Sequence, residues 1–546
     1  MSTNNINSNR NLSLEKSKFD VELCNDNMTF SDCELSILRN AVEESERVIG
    51  EQLINNDETR KIIDIVEKFI IRKKLLCYGG TAINNVLPHD AQFYDYSMEI
   101  PDYDFYSNNS LNDAIELADI YFKNGFKDVE AKSGKHKGTF KVFVNFIPIA
   151  DITYMNKVLF NNLLRDSIVK NGIHYVPVNF LRMGVYLELS RPKGDISRWE
   201  KVTKRLNLLN EYYPFNEMDC KQVDFTTNVI DLQSKDTMKY KEYILVRDAL
   251  IENGVVFFGG FARNIYSKYI KNKDKQFKLK SDPVFDVLSE DITQTAKELK
   301  KVLENNDISN VILEKHEAFG ELIPEYIKVI IDDEPIVFIY SPIACHSYNE
   351  VELGTKVVKI ASIYTMLTFY LTFIYANKSH YNQDRLFCMA KYLFELQSKY
   401  RLTRKGVFKH YSIECYGEQE SLEDILAIRS QKFKELKKDP DSDEYKQWFL
   451  KYEPANKNKN IKIKKQRTPK KSVVEIINSK PTKETKDTTK ETKDTTKETK
   501  DTTKEIKKTK KTQNTKKTQK KTTKTSPIRT LKTKILERSK RNTYLV

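Results

Sequence analysis

An α/β (α+β) chain containing two copies of one unit is what this 546-residue sequence predicts. Three observations carry the prediction. A helical pattern, a short apolar strand and a Gly-Gly pair occur at Leu75–Gly80 and again at Val255–Gly260, and Gly-Gly-x-Ala-x-Asn is common to Gly79–Asn84 and Gly259–Asn264. Asp104-Phe105-Tyr106-Ser107 answers to Asp286-Val287-Leu288-Ser289 at nearly the same offset. The aromatic residues crowd into the first 450 positions, with only Tyr452 and Tyr544 beyond them, so that stretch holds the material for two cores of ordinary domain size.

Taken in order, residues 1–30 read as a polar, Asn/Ser-rich arm without the apolar core of a secretory signal. Ser31 or Asp32 is placed to cap a helix carrying Leu35, Ile37, Leu38, Val42, Val48 and Ile49, and Ile62, Ile63, Ile65, Val66 and Phe69 mark a second helix over Glu58–Lys73. A strand, Leu75–Tyr78, leads into Gly79-Gly80 and a further helix. The second copy repeats this from Tyr240 onward. The expected domains are an arm (1–30), an active lobe (31–215), an inactive lobe (216–440) and a disordered Lys/Thr-rich tail (441–546), in which Lys-Glu-Thr-Lys-Asp-Thr-Thr occurs three times from Lys483 to Thr503 without an apolar residue for a coiled-coil seam.

Charge follows the same division. Residues 451–546 hold 32 Lys+Arg against 10 Asp+Glu, net +22, which leaves 60 against 67, net −7, for residues 1–450. Lys462, Lys464, Lys465 and Arg467 open the tail as RNA-binding candidates. Seven cysteines without a C-x-x-C pair or a zinc-finger His favour reduced thiols and no structural zinc. Ile360–Asn377 is uncharged, yet its Ser, Thr and Tyr content suits a buried core helix rather than a membrane span.

The chemistry gathers in the first copy. In Pro101–Tyr106, Asp102 and Asp104 are two apart and share one face of a strand. Two anions so close call for a cation between them. Asp151 interrupts the apolar strand pattern of Phe146–Ile152, where a lone buried carboxylate is costly without a partner. Mg²⁺ or Mn²⁺ would join all three, and Gly79, Gly80 and Thr81 would admit a triphosphate at a helix N-terminus. The implied reaction is a two-metal phosphoryl transfer, with one ion on all three aspartates and one on Asp102, Asp104 and the triphosphate.

These residues resemble the signature of the DNA polymerase β-type nucleotidyltransferases. GGTAINN, PDYDFYS and the block Asn179–Leu209 are similar to the poly(A) polymerase catalytic subunits of large cytoplasmic DNA viruses, of poxvirus and giant-virus (mimivirus) type, over about residues 50–440. The 21 residues between Gly80 and Asp102 exceed the usual gap, and a segment through His89–Tyr96 would account for them. The resemblance implies addition of AMP from ATP to RNA 3′ ends without a template, in the host cytoplasm (viral factories) and the virion, and no secretion. A homodimer is open, and no membrane is implied.

Arg191, Lys193, Arg198, Lys201 and Lys204 are placed to grip the triphosphate or the primer backbone by charge-assisted hydrogen bonds, against the plainer reading of a solvated basic helix. Trp199 reads as core. The second copy keeps Asp286 but has Val284 where Asp102 would fall, and Ile336–Pro342 offers no third acid; Glu290 and Asp291 are the remaining acids that could restore a metal site. Three alternatives share much of this pattern: a U- or CCA-adding or small-molecule transferase, a non-catalytic RNA-binding scaffold, and a membrane-anchored enzyme.

Overall fold

The computed structural model describes residues 23, 29–54, 56–96, 100–215, 220, 238–268, 284–319, 322–376 and 382–456. The predicted arm (all but a few residues of it), the heptapeptide repeats and Lys462, Lys464, Lys465 and Arg467 lie outside them.

The first half runs α1 (Phe30–Ile54), α2 (Asp57–Lys73), β1 (Leu76–Cys77), α3 (Gly79–Val86), β2 (Tyr103–Ser107), α4 (Ser110–Lys123), β3 (Val129–Ser133), β4 (Thr139–Val144), β5 (Ile147–Tyr154), α5 (Lys157–Arg165), β6 (Ile168–Lys170), β7 (Ile173–Tyr175), α6 (Val178–Leu189) and α7 (Trp199–Tyr212). The second runs α8 (Met238–Glu252), β8 (Val256–Phe258), α9 (Gly259–Lys268), β9 (Phe285–Leu288), α10 (Ile292–Glu304), β10 (Val311–His316), β11 (Tyr326–Ile331), β12 (Glu334–Tyr340), β13 (His346–Leu353), β14 (Lys356–Ala361), α11 (Ile363–Ala376) and α12 (Gln383–Lys399). β15 (Cys415–Tyr416), α13 (Leu422–Leu436), α14 (Asp443–Phe449) and β16 (Lys451–Tyr452) close the described chain.

The two halves repeat one topology. The sheets are ordered β16-β3-β4-β5-β2-β1-β7-β6 and β10-β11-β12-β9-β8-β14-β13-β15. In each, the strand before Gly-Gly pairs antiparallel with the Asp strand, which pairs parallel with the last strand of a three-stranded meander. Even the register irregularity recurs, at Val142/Phe143 and at Val329/Ile330. The repeat seen in two short sequence matches therefore extends through seven strands of each sheet.

α11 is buried along nearly its whole length and packs on α5 and α6 of the first half. Asn162 donates to the Tyr375 carbonyl at 3.0 Å, and Phe180 meets Tyr375 edge-on at 5.7 Å. The uncharged run is thus core, as its polarity predicts, and no described helix is long and apolar enough to cross a membrane.

Several expectations are corrected. Thr29, not Ser31 or Asp32, caps α1: the Asp32 N–H donates to Thr29 Oγ1 (3.2 Å), and the Asp32 carboxylate accepts from the Thr29 N–H (3.3 Å), a reciprocal box. Leu35, Ile37, Leu38, Val42 and Val48 of α1 are exposed rather than core. The tail does not begin at residue 441, because α14 follows and β16 adds to the first sheet, Lys451 opposite Lys132 and Tyr452 opposite Ala131. Tyr445 and Phe449 anchor this return against Phe433, an aromatic cluster that a basic average conceals. The thiols are not all free either. Cys220 is bonded to Cys388 and Cys345 to Cys415, and Cys33 is also disulfide-bonded, leaving Cys77 buried and unpaired among the described cysteines.

Candidate active site

The site is built at the end of β1. Gly79 takes φ +75°, a left-handed conformation that favours glycine, and turns the chain from β1 into α3. A Cβ there would lie 2.5 Å from Asp104 Oδ2, so the missing side chain is what lets this carboxylate approach the helix start. The Tyr78 N–H donates to the Asp104 carbonyl at 3.0 Å, which fixes the turn to β2. Thr81 also ties the two elements together: its hydroxyl donates to the Asp102 carbonyl at 2.7 Å. The predicted phosphate donor is therefore already committed to positioning Asp102.

β2 and β5 run parallel with Asp104 directly opposite Asp151, and Asp102 precedes Asp104 by two residues on the same side. Burial pushes the Asp102 carboxyl up to about 7, with the negative charge of Asp151 adding and Lys141 opposing. Burial, then the charges of Asp102 and Asp151, hold Asp104 well above the usual carboxylate range. Asp151 is also raised by burial, although the ammonium of Lys141, its cross-strand neighbour on β4, ion-pairs with Oδ2 and pulls the other way. Asp151 Oδ1 is buried without a hydrogen-bond partner.

Among the described residues, no three Asp, Glu, His or Cys side chains are drawn together into a ready-made metal cage. Asp151 faces Lys141 instead. The donor set nonetheless fits a divalent cation, since carboxyls of Asp102 and Asp104 that burial and the Asp151 charge push up, and an Asp151 oxygen without a hydrogen-bond partner, are what a dication relieves.

The basic residues divide sharply. Arg198, on a short 3₁₀ turn capped by Asp195, is buried 3.3 Å from Glu188 Oε1, and its charge reaches Asp104. Arg191 is lowered to about 10 by burial, with the charge of Glu188 opposing. Lys193, Lys201 and Lys204 are exposed, and Lys204 pairs with Glu200 at 2.8 Å on the outer face of α7, so the solvated-helix reading holds for Lys204. Trp199 is half-buried and packs on the core, with its Nε1 donating to the Glu188 carbonyl at 3.2 Å.

Arg205, outside the five basic residues that the sequence singles out, lies beside the Gly-Gly turn. Its guanidinium would be 2.9 Å from a Cβ on Gly80, donates to the Tyr94 hydroxyl at 2.5 Å and lies 5.0 Å from the Phe93 ring centroid. The signal was present, because Arg198 and Arg205 are seven residues apart, two helical turns, and so share a face. The His89–Tyr96 segment is the other half of this contact. Asn84 Oδ1 accepts from the N–H groups of Phe93 and Tyr94 at 2.7 and 2.8 Å, which wraps the segment over α3.

The second half repeats the scaffold with one of the three acids, Asp286. Gly259 has φ +69°, and a Cβ there would collide with Asp286. Phe338 stands opposite Asp286, where Asp151 stands opposite Asp104. Glu290 accepts from the Gly417 N–H at 3.0 Å and Asp291 caps α10 by accepting from the Gln294 N–H at 2.8 Å, so both remaining acids have structural employment.

Residues 64–195 match the family model described as poly(A) polymerase catalytic subunit. A protein of African swine fever virus (strain Badajoz 1971 Vero-adapted), described as a candidate poly(A) polymerase catalytic subunit, is 33% identical over 175 residues, 31% of this chain and 36% of its own length. One of Acanthamoeba polyphaga mimivirus with the same description is 25% identical over 358 residues, 60% of each chain. The chain thus spans less than two thirds of either relative. The crystal structure of the Megavirus polyadenylate synthase superposes with a TM-score of 0.66 at 19% identity, covering 85% of this chain and 93% of that one. The mixed α/β fold with two mixed sheets is that fold, and the resemblance read from the motifs is borne out.

Proposed function

We propose that this chain is a template-independent polyadenylate polymerase, a nucleotidyltransferase that transfers AMP from ATP to the 3′ ends of viral mRNA. The observation that carries it is the placement of Asp104 opposite Asp151 on parallel strands, with Gly79 turning a helix N-terminus toward Asp104. Asp102, Asp104 and Asp151 would hold Mg²⁺ or Mn²⁺, which when bound polarises the triphosphate and the attacking 3′-hydroxyl.

The chain's own residues do the rest. The backbone at Gly79 and Gly80 admits the phosphates at the start of α3. Arg198 and Arg205 supply positive charge on the side facing Gly80 and Asp104, and Thr81 holds the Asp102 backbone in register. The two halves read as duplicated polymerase β-like lobes of which the second is degenerate, since Val284 and Phe338 replace two of the three acids. Viral factories in the host cytoplasm, and the virion, are the locations this reading implies.

Purified protein incubated with an RNA oligonucleotide, Mg²⁺ or Mn²⁺ and each NTP in turn tests the proposal. A ladder with ATP alone is expected. A ladder with UTP would replace it by a U-adding enzyme, and RNA binding without extension by any NTP would leave a scaffold.

A further inference from the structure

α7 presents two opposite faces. Arg205 looks toward Gly80, while Thr203 and Asn207, two residues to either side and roughly 200° around the helix, meet a loop of the second half between α12 and β15. The Tyr411 hydroxyl is 3.3 Å from Thr203 Oγ1, its ring lies 5.6 Å from that of Trp199, and Arg401 donates to Asn207 Oδ1 at 2.9 Å. The loop is thus one helix width, about 10–12 Å, from the phosphate-binding turn.

The loop is a preformed platform. The His410 N–H donates to the Thr403 carbonyl (3.1 Å) and the Lys409 N–H to the Gly406 carbonyl (3.2 Å), Phe408 stacks on Tyr400 at 4.3 Å, and the Cys345–Cys415 disulfide anchors its far end. Tyr411 sits at φ +55°, its ring packed on one side against those of Trp199 and Tyr364 (5.8 Å) yet 39% exposed, and Leu402 of the same loop is 93% exposed. Lys409 is neutralised by Glu414 at 2.7 Å, whereas Arg401, Arg404 and Lys405 are exposed and have no acidic partner among the described residues.

We infer that this loop, with Tyr411 as a stacking surface and Arg401, Arg404 and Lys405 as phosphate contacts, holds single-stranded RNA just upstream of the 3′ end presented to Asp102, Asp104 and Asp151. The inference rests on the polymerase reading for its orientation. Its chemistry is that of single-strand recognition: uncompensated cations track the backbone while an exposed aromatic face takes a base irrespective of sequence. An acidic protein would satisfy the cations but would make no use of the exposed part of the Tyr411 ring.

The test uses the full chain and a labelled, unstructured RNA oligonucleotide in fluorescence anisotropy across a salt series. R404A/K405A should weaken binding roughly tenfold and make the slope of log K against log salt shallower by about 1.4, as expected when two single-strand phosphate contacts are lost. A slope and an affinity equal to those of the parent would overturn the inference. 2-Aminopurine near the RNA 3′ end should be quenched on binding by the parent and by Tyr411→Phe but not by Tyr411→Leu; equal quenching in all three would remove the stacking role. Loss of affinity for duplex RNA as large as that for the single strand would do so too. Neither readout needs catalysis. A parent that binds RNA in this way yet adds no nucleotide overturns the polymerase reading alone, and a parent that extends RNA while the double variant binds normally overturns this inference alone.

Discussion

The carboxylate of Asp104 occupies the space that a side chain on Gly79 would need, with Oδ2 2.5 Å from the missing Cβ. The same relationship recurs between Gly259 and Asp286, where the partner acids are absent. This matched pair separates strain from chemistry. Gly79→Ala and Gly259→Ala should each destabilise the protein by at least about 1–2 kcal/mol, the cost of a Cβ at positive φ, with the displaced carboxylate adding to it. Only Gly79→Ala should also lower kcat/KM for ATP, by at least about 100-fold, because it displaces one of the acids proposed to hold the metal. Thermal melts and primer extension on both variants check this, and an equal loss of activity from the two would tie the second half to catalysis.

The mutual repulsion of the buried acids gives a second expectation. Asp104→Asn removes a carboxyl that burial and the charges of Asp102 and Asp151 hold high, and with it the cost that such a raised group imposes on folding at alkaline pH. Without metal at pH 8, the variant should melt higher than the parent. On adding Mn²⁺ the order should reverse, since the parent gains stability by mass action and the variant has lost a ligand. Extension should fall by about 10³-fold or more. Differential scanning calorimetry with and without Mn²⁺ reads the crossover.

Arg205 and Lys204 are adjacent in sequence and opposite in environment. Arg205 lies against Gly80 and Tyr94, whereas Lys204 is held by Glu200 on an open helix face. Arg205→Lys keeps the charge but loses the planar fork, and should raise KM for ATP about tenfold. Lys204→Ala should leave both kinetic constants within twofold. Steady-state kinetics with ATP varied at saturating RNA distinguish the two.

What could be read in advance was what is local or repeated in the sequence. The Gly-Gly turns, the Asp102/Asp104 pair and the duplication depend on neighbours a few residues apart, and the structure carries each of them further. What escaped depends on partners set by tertiary register. Lys141 meets Asp151 only because β4 and β5 form a hairpin, and Thr81 meets Asp102 only because β1 and β2 are paired. The disulfides join cysteines 168 and 70 residues apart, a separation from which no pairing can be deduced. The site's missed residue, Arg205, needed only a helical-face count.

Glu188 gives a pH prediction away from Asp102, Asp104 and Asp151. Burial pushes its carboxyl up to about 7 from 4.5, with Arg198 and Arg205 opposing. Between those two values the native state holds a proton that the unfolded chain has released, so this group's contribution to stability is lost as pH rises from about 4.5 through 7. Glu188→Gln lacks that proton exchange. The Tm of the parent minus that of Glu188→Gln should therefore decrease from pH 5.5 to pH 8. A difference that stays flat or increases would show that the Arg198 ion pair outweighs the burial.

The charge division of the chain sets where it can be cut. Residues 451–546 carry net +22, but Lys451 and Tyr452 are a strand of the first sheet, Ser133 Oγ donates to the Trp448 carbonyl at 2.8 Å, and Arg429 Nη2 donates to the same carbonyl at 2.8 Å. A chain ending at residue 456 keeps those contacts and loses the whole net +22, since Lys451 and Glu453 cancel. It should retain single-nucleotide addition and its melting temperature while binding RNA more weakly and with a shallower salt dependence. A chain ending at residue 441 loses nearly the same charge but also the Tyr445 and Phe449 rings packed on the already exposed Phe433, and it bares the edge of β3, so it should melt lower by several degrees and aggregate more readily. Melting curves and salt-dependent RNA binding on the two truncations separate electrostatic tethering from folding. Loss of catalysis in the 456-residue chain would give the basic segment a role in the transfer itself.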